Sequence, residues 1–137
     1  EIATGDAAPL AADEAGRLAA LVAAAWATLD DVAAVAPAEL RKGPRGGGRD
    51  RDKLLDHVLG AEAAYARKIG VRQRQPAHDD AAAIAALRAA ILDVLGRPSD
   101  GQPPAPKGWP PRYAARRIAW HVLDHAWEME ARGQPAG

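Results

Sequence analysis

The sequence predicts an all-α protein, a four-helix bundle, from three observations. Apolar residues recur at three- and four-residue spacing in four separate stretches, none of the stretches alternates in the manner of a strand, and glycine- and proline-rich segments separate them. The 137 residues are most simply one domain. We place it at residues 10–132, after a flexible lead-in at residues 1–9 and before a frayed tail at residues 133–137.

Composition narrows the possible functions. Basic and acidic side chains number 18 each, so no overall charge favours nucleic acid or an acidic membrane. Cysteine is absent, which excludes thiolate catalysis and leaves His, Asp and Glu as metal ligands. We find no apolar run approaching the roughly 20 residues that span a bilayer, and no signal peptide. The chain begins at Glu1 rather than Met, and a cytoplasmic location is the default expectation.

The first helix is predicted over residues 12–35. Acidic residues at its start suit the positive end of the helix dipole, and Pro37 ends it. An apolar stripe that we expect to face the core consists of Leu18, Leu21, Val22, Ala25, Leu29 and Val32.

The second helix is predicted over residues 51–68. Asp50 or Asp52 can cap its start, and Gly70 serves as its C-terminal stop. His57 is expected on the same face as the apolar residues Leu54, Val58, Ala61 and Tyr65.

The third helix is predicted over residues 80–95, with Asp79 or Asp80 as its cap, and the fourth begins near Pro111, which suits a first helical turn. The connection between the second and third helices has about 10 residues and can return along the roughly 27 Å length of the second helix. A simple meander and an up-down-down-up order are therefore both open. The buried side of the third helix is expected to contain Ile84, Leu87, Ile91, Val94 and Leu95.

The last helix carries His121 and His125 one turn apart, so their imidazoles point the same way, into the bundle. If the second and fourth helices are antiparallel neighbours, His57 lies at the same level. Three imidazoles would then form a metal site with a position left for water or substrate. Trp120 and Trp127 fall about 100° or more from His121, where they can pack against neighbouring helices.

The order of these motifs resembles a known family. A histidine followed by Gly-Ala-Glu in the second helix (residues 57–62) and His-x-x-x-His in the fourth is similar to the DinB superfamily, which includes mycothiol-dependent maleylpyruvate isomerase-like proteins. The resemblance covers all four helices. It implies an up-down-down-up bundle that binds zinc or nickel through His57, His121 and His125, and possible use of a low-molecular-weight thiol.

Acidic residues flank the histidine pair. Asp124 and Glu128 are the nearest candidates to fix the imidazole tautomers, and Glu128 could instead act as a general acid or base. Lys53, one turn before His57, is a second candidate catalytic residue. The alternative for both carboxylates is an ordinary solvated helix face. His78 falls in a loop and is not expected to take part.

Arginines precede the second helix. Arg45, Arg49 and Arg51, with Lys53, could bind a carboxylate or another anionic part of a thiol cofactor or substrate, although such loops are commonly only solvated. Arg116 and Arg117 are expected to anchor the last helix by pairing with carboxylates of a neighbouring element. Tyr65 and Tyr113 are expected to be packing residues.

The leading functional hypothesis is a metal-dependent enzyme of the thiol-dependent transferase or isomerase type, acting on a small molecule. The alternative is a non-catalytic bundle that binds a partner and whose metal site is structural or vacant. Nucleic-acid binding through residues 41–53 is disfavoured, because that stretch lacks interleaved aromatic residues. An exposed tryptophan on the last helix could seal a homodimer.

Overall fold

The structure is a computed structural model that describes residues 2–42 and 49–134. Within these ranges the chain forms four α-helices and no strand, which confirms the prediction of an all-α four-helix bundle. A short 3₁₀ turn, Thr4–Ala7, precedes the first helix. The helices are α1 (Ala12–Val35), α2 (Arg51–Arg67), α3 (Ala81–Leu95) and α4 (Pro111–Gly133).

The helix starts differ in how they are capped. Asp80 accepts a hydrogen bond from the Ala83 amide at 3.0 Å, and so caps α3 as predicted. Asp50 occupies the capping position of α2, but its side chain accepts from the Leu40 amide at 3.1 Å and from Lys42. The prediction of an aspartate side-chain cap on α2 is therefore wrong for Asp50, because its carboxylate binds the preceding segment instead.

Helices α1 and α4 are parallel neighbours. At their N-terminal ends, Arg112 pairs with Glu14 at 2.9 Å. At their C-terminal ends, a Cβ atom on Gly133 would lie 3.2 Å from the Pro37 ring, and the Arg41 amide donates to the Arg132 carbonyl at 2.9 Å.

The other two helices run the opposite way. The last turn of α2 meets the start of α4, where the Trp109 amide donates to the Lys68 carbonyl at 2.8 Å. Gly108 passes so close to that turn that an added Cβ would lie 2.1 Å from the same carbonyl oxygen. The end of α3 lies against the first half of α1, where a Cβ on Gly96 would be 3.8 Å from Ala19. These contacts agree with an up-down-down-up order.

The core lies where the apolar stripes of the four helices meet. Leu21 is an exception, because it is 62% exposed although it was predicted to be buried. Trp26 is buried and was not part of the predicted stripe. Both differences have one cause: the buried side of α1 is centred on Val22, about 100° from Leu21 and about 40° from Trp26. The fully buried side chains of largest volume include Leu29, Leu54, Ile69, Leu87, Ile91, Leu95, Ile118 and Met129.

Helix α1 is long and apolar enough, by length and composition, to cross a membrane. The prediction that no apolar segment is long enough to span a bilayer is therefore wrong. A helix of a bundle core and an N-terminal signal sequence have the same character, and α1 packs against α3 and α4 here. The expected cytoplasmic location stays a prediction.

The segment before α1 is tied to the bundle. Asp6 is buried and accepts two hydrogen bonds from the Arg116 guanidinium, one of them at 2.9 Å. Leu10 and Ser99 exchange backbone hydrogen bonds at 2.9 Å. The 3₁₀ turn within the predicted flexible lead-in therefore lies against α4.

Candidate metal centre

Three histidines meet at the contact between α2 and α4. One ligand atom from each of His57, His121 and His125 lies within 4.8 Å of the others. The ring centroids of His121 and His125 are 4.5 Å apart, and that of His57 is 4.8 Å from His125 and 5.6 Å from His121. The three imidazoles, which we call the triad, are therefore close enough to bind one metal ion.

The three histidines of the triad differ in how exposed they are to solvent. His125 is buried, His121 is half-buried and His57 is exposed. The prediction that both histidines of α4 point inward is confirmed for His125, which is buried, and only in part for His121, which is half-buried. The site therefore opens to solvent on the side of α2, where a metal bound by the three rings would have room for a further ligand.

The surroundings of His121 and His57 favour their neutral forms. Burial, together with the charges of the other two imidazoles, lowers the pKa of His121 to about 4. Although His57 as a residue is exposed, partial desolvation of its ring also lowers its pKa, and the nearby charges of Arg49 and His125 act in the same direction. Because a metal ligand must be a neutral imidazole, these shifts prepare both rings for coordination at neutral pH.

Unsatisfied nitrogens provide a test of whether the residues fit a metal. The Nδ1 atoms of His121 and His125 are buried and have no hydrogen-bond partner among residues 2–42 and 49–134, although Glu128 Oε1 lies 3.5 Å from His125 Nδ1. An unpaired buried polar atom is costly, and two of them beside a third imidazole suit a bound cation. The donor set of three imidazoles fits zinc or nickel.

The predicted acidic residues lie at different distances from the triad. Glu128 Oε1 is 3.5 Å from His125 Nδ1, and its charge also acts on His57. Asp124 is exposed and acts on His121 only through its charge. Lys53, the other candidate catalytic residue, is exposed, and its charge acts on Asp50. Of the three, Glu128 is the one that reaches a triad ring.

Of the three arginines predicted to bind an anion, the structure describes Arg49 and Arg51. Arg49 lies near enough to His57 for its charge to lower the pKa of that ring. Arg51 donates to Asp52 at 3.0 Å and to the Ala36 carbonyl at 3.2 Å, and so ties α2 to the end of α1. Arg45 lies outside the described residues. Of the two that the structure describes, Arg49 is therefore the one that comes near the triad.

A row of aromatic rings extends from the triad along the start of α4. Tyr65 meets His121 edge-on at 5.5 Å, Trp109 lies 5.2 Å from Tyr65, and Tyr113 lies 5.0 Å from Trp109. Tyr65 and Tyr113 are packing residues, as predicted. That Tyr65 packs on a triad ring could not be read from periodicity, because it depends on how α2 and α4 cross.

Positively charged side chains lie over the rings of this row. Their contacts bear on the predictions made for α4. Arg116 stacks on Tyr113 and pairs with Asp6, so it anchors the helix as predicted. Arg117 stacks on Tyr65 at 5.6 Å and forms no ion pair with any residue the structure describes, so the predicted pairing is wrong for it. The prediction that Trp120 and Trp127 pack against neighbouring helices is also wrong.

Each of these two tryptophans is 59% exposed. The reason is that α1 and α2 cover the opposite side of α4, leaving both rings on the side facing solvent.

A second polar cluster lies between α1, α2 and α3. Glu62 is fully buried and accepts a hydrogen bond from the Trp26 indole. Burial raises the pKa of Glu62 to about 7. Arg88 lies over the Trp26 ring at 5.3 Å and donates two hydrogen bonds, at 2.7 and 3.0 Å, to Asp30. Sequence reasoning missed this cluster, since its members lie far apart in the chain.

Comparison with known proteins adds no further constraint. No family model, no curated protein and no solved structure matches the chain. The similarity to the DinB superfamily therefore stays a prediction from the histidine motifs.

Proposed function

We propose that this chain is a metal-dependent enzyme of the thiol-dependent transferase or isomerase type, and that its resemblance to the DinB superfamily reflects common function. The observation that supports this most directly is the triad itself. One ligand atom from each of three imidazoles, carried by two helices, lies within 4.8 Å of the others, and one of the three histidines is exposed. A structural metal site is normally closed by four protein ligands, whereas a catalytic site keeps a position open.

The residues around the triad have distinct roles in this proposal. His57, His121 and His125 hold the metal, which would act as a Lewis acid and lower the pKa of a coordinated water or thiol. Glu128 is the proton acceptor, because its carboxylate is the closest to the triad among the described residues. Arg49 would attract an anionic ligand to the exposed side of His57.

The experiment is a metal titration of protein purified without a histidine tag. The wild-type protein is expected to bind about one zinc per chain. His121→Ala should lose this binding, because it removes one of three ligands, whereas His78→Ala should retain it. His78 is the matched control, since it pairs with Asp56 at 3.0 Å and takes no part in the triad. Equal zinc binding by the two variants would contradict the proposal.

Cobalt substitution then separates a catalyst from a scaffold. The visible spectrum of the cobalt protein should change when 2-mercaptoethanol is added, because a thiolate can occupy an open coordination position. An unchanged spectrum would favour the alternative, a non-catalytic bundle whose metal is structural.

A further inference from the structure

Arg117 lies one helical turn before His121 and faces the same side of α4. Its guanidinium carbon is 5.6 Å from the centroid of the Tyr65 ring, and that ring contacts His121 edge-on at 5.5 Å. Tyr65 is thus the common neighbour of the guanidinium and of a triad imidazole. Arg117 is therefore connected to the triad through a single aromatic ring, that of Tyr65.

The preceding residue provides an internal comparison. Arg116 also stacks on a tyrosine, Tyr113 at 5.2 Å, but its guanidinium donates two hydrogen bonds to the buried carboxylate of Asp6. Arg117 has an equivalent aromatic support and makes no hydrogen bond or ion pair within residues 2–42 and 49–134. Two adjacent arginines thus have similar support, and only one has a carboxylate.

A guanidinium held over an aromatic ring keeps N–H donors on the side away from the ring. Two such donors match the two oxygens of a carboxylate. Arg117 is exposed, and it also borders a surface depression of about 360 Å³ that it shares with Tyr113, Arg116 and Trp120. A small molecule can therefore reach these donors.

Charges around the triad favour an anion on this side. Arg117 and Arg49 each act on a triad histidine from different elements, and a bound metal would add two further positive charges. Glu128 and Asp124 are the acidic groups that act on the triad from α4. A carboxylate at Arg117 would satisfy a cation that has no protein partner among the described residues.

We propose that Arg117 binds the carboxylate of a small-molecule ligand whose second group, such as a thiol, binds the metal at the triad. The metal-bound end of the ligand rests on the proposed function, whereas the carboxylate contact does not. The ligand class is thus a carboxylate that also carries a metal-binding group.

The first test needs no metal. Side-chain N–H resonances of arginine are recorded by NMR while mercaptoacetate is added to the metal-free protein, and Arg117→Gln identifies the Arg117 signal by its loss. Mercaptoacetate is expected to shift the Arg117 signal in a saturable way and to leave the Arg116 signal unchanged. The matched probe 2-mercaptoethanol, which lacks the carboxylate, should shift neither. An unmoved Arg117 signal, or equal shifts of both arginines, would overturn the proposal.

The second test uses the cobalt-loaded protein and the visible band that reports thiolate coordination. Mercaptoacetate should bind about tenfold more tightly than 2-mercaptoethanol, compared at equal thiolate concentration, because a charge-assisted bidentate contact has about that effect on affinity. Arg117→Gln should abolish this preference, and Arg117→Lys should retain only part of it. Arg116→Gln should leave the preference intact.

The outcomes distinguish the two proposals. A cobalt protein that binds both thiols equally would overturn the role of Arg117 and leave the metal site standing. A protein that binds no cobalt but shows the selective NMR shift would overturn the proposed function and retain the carboxylate contact.

Discussion

Helix α2 carries two polar groups only five residues apart that lie in contrasting surroundings. Glu62, on one side, is enclosed with Trp26, Arg88 and Asp30. Trp26 donates to Glu62 and Arg88 donates to Asp30, although Glu62 Oε2 and Arg88 Nε have no hydrogen-bond partner among the described residues. His57, on the other side, faces two further imidazoles that repel it when protonated, and it is exposed. The first cluster joins helices through hydrogen bonds between its own side chains, whereas the triad imidazoles make no hydrogen bond to any described residue. This difference in hydrogen bonding is why we interpret the first cluster as architectural and propose the second as the functional one.

The largest expected effect is the pH dependence of folding stability that Glu62 causes. Its pKa in the folded protein is about 7, above the ordinary value of 4.5, so the unfolded chain ionises first and stability falls as pH rises from 4.5 to 7. The loss is about 3 kcal/mol at higher pH. Glu62→Gln keeps an acceptor for Trp26 and should remove this loss. Urea denaturation at pH 5 and pH 8 measures it.

The difference between Glu62→Gln and wild type isolates the effect, because the histidines add a pH dependence common to both proteins. The variant should gain stability relative to wild type at pH 8 and not at pH 5. A stability difference that is the same at both values would mean that Glu62 is already ionised in the folded state.

The second effect is stabilisation by metal, which should act on the triad alone. Zinc at a free concentration about 100 times its dissociation constant should stabilise the folded protein by about 2.7 kcal/mol. For a domain of this size the melting temperature should rise by about 5 to 10 °C. Thermal melts with and without zinc measure this rise. On addition of zinc, the melting temperature of Glu62→Gln should rise as much as that of wild type, and that of His121→Ala should not rise. A rise in both variants would contradict the assignment of zinc binding to the triad.

The smallest effect is the acid response of the metal-free protein. The pKa of His121 is lowered to about 4, so the unfolded chain is protonated first and stability is lost as pH falls from 6.5 toward 4. Denaturation at pH 7 and pH 5 should show a smaller loss in His121→Gln than in wild type.

The pKa shift of His78 has the opposite sign to that of His121, so His78 serves as the control. Its hydrogen bond to Asp56, with the charges of Asp56, Asp52 and Asp79, raises the pKa of His78. Its contribution is therefore present below pH 6.5 and is lost as pH rises through the folded pKa. His78→Gln should make the acid loss larger, and a change in the same direction as His121→Gln would contradict this assignment.

The sequence predicted the helices well because their signals are local. Residues 12–35 were predicted for α1 and are observed as Ala12–Val35, and Asp80 caps α3 as expected. The triad was also within reach, since the spacing of His121 and His125 fixes a shared direction and the lengths of the helices place His57 level with them.

What could not be predicted depends on how helices cross. Glu62 reads as an ordinary polar residue of α2, and only the packing of α1 and α3 encloses it with Trp26, 36 positions away. Arg116 and Arg117 are identical in type and adjacent, yet one meets Asp6 and the other meets Tyr65. Which of the two has a carboxylate depends on the path of the 3₁₀ turn, which periodicity does not report.

The close approach at Gly108 limits how this protein can diverge. The backbone passes the last turn of α2 where no side chain fits, and α4 starts immediately afterwards. Homologues that keep all three histidines but carry another residue here would need a compensating shift in the preceding loop. Surveys of related genomes should therefore treat this glycine as a marker of the same contact between the end of α2 and the start of α4, although it lies 13 positions before His121, the nearest of the three histidines in the chain.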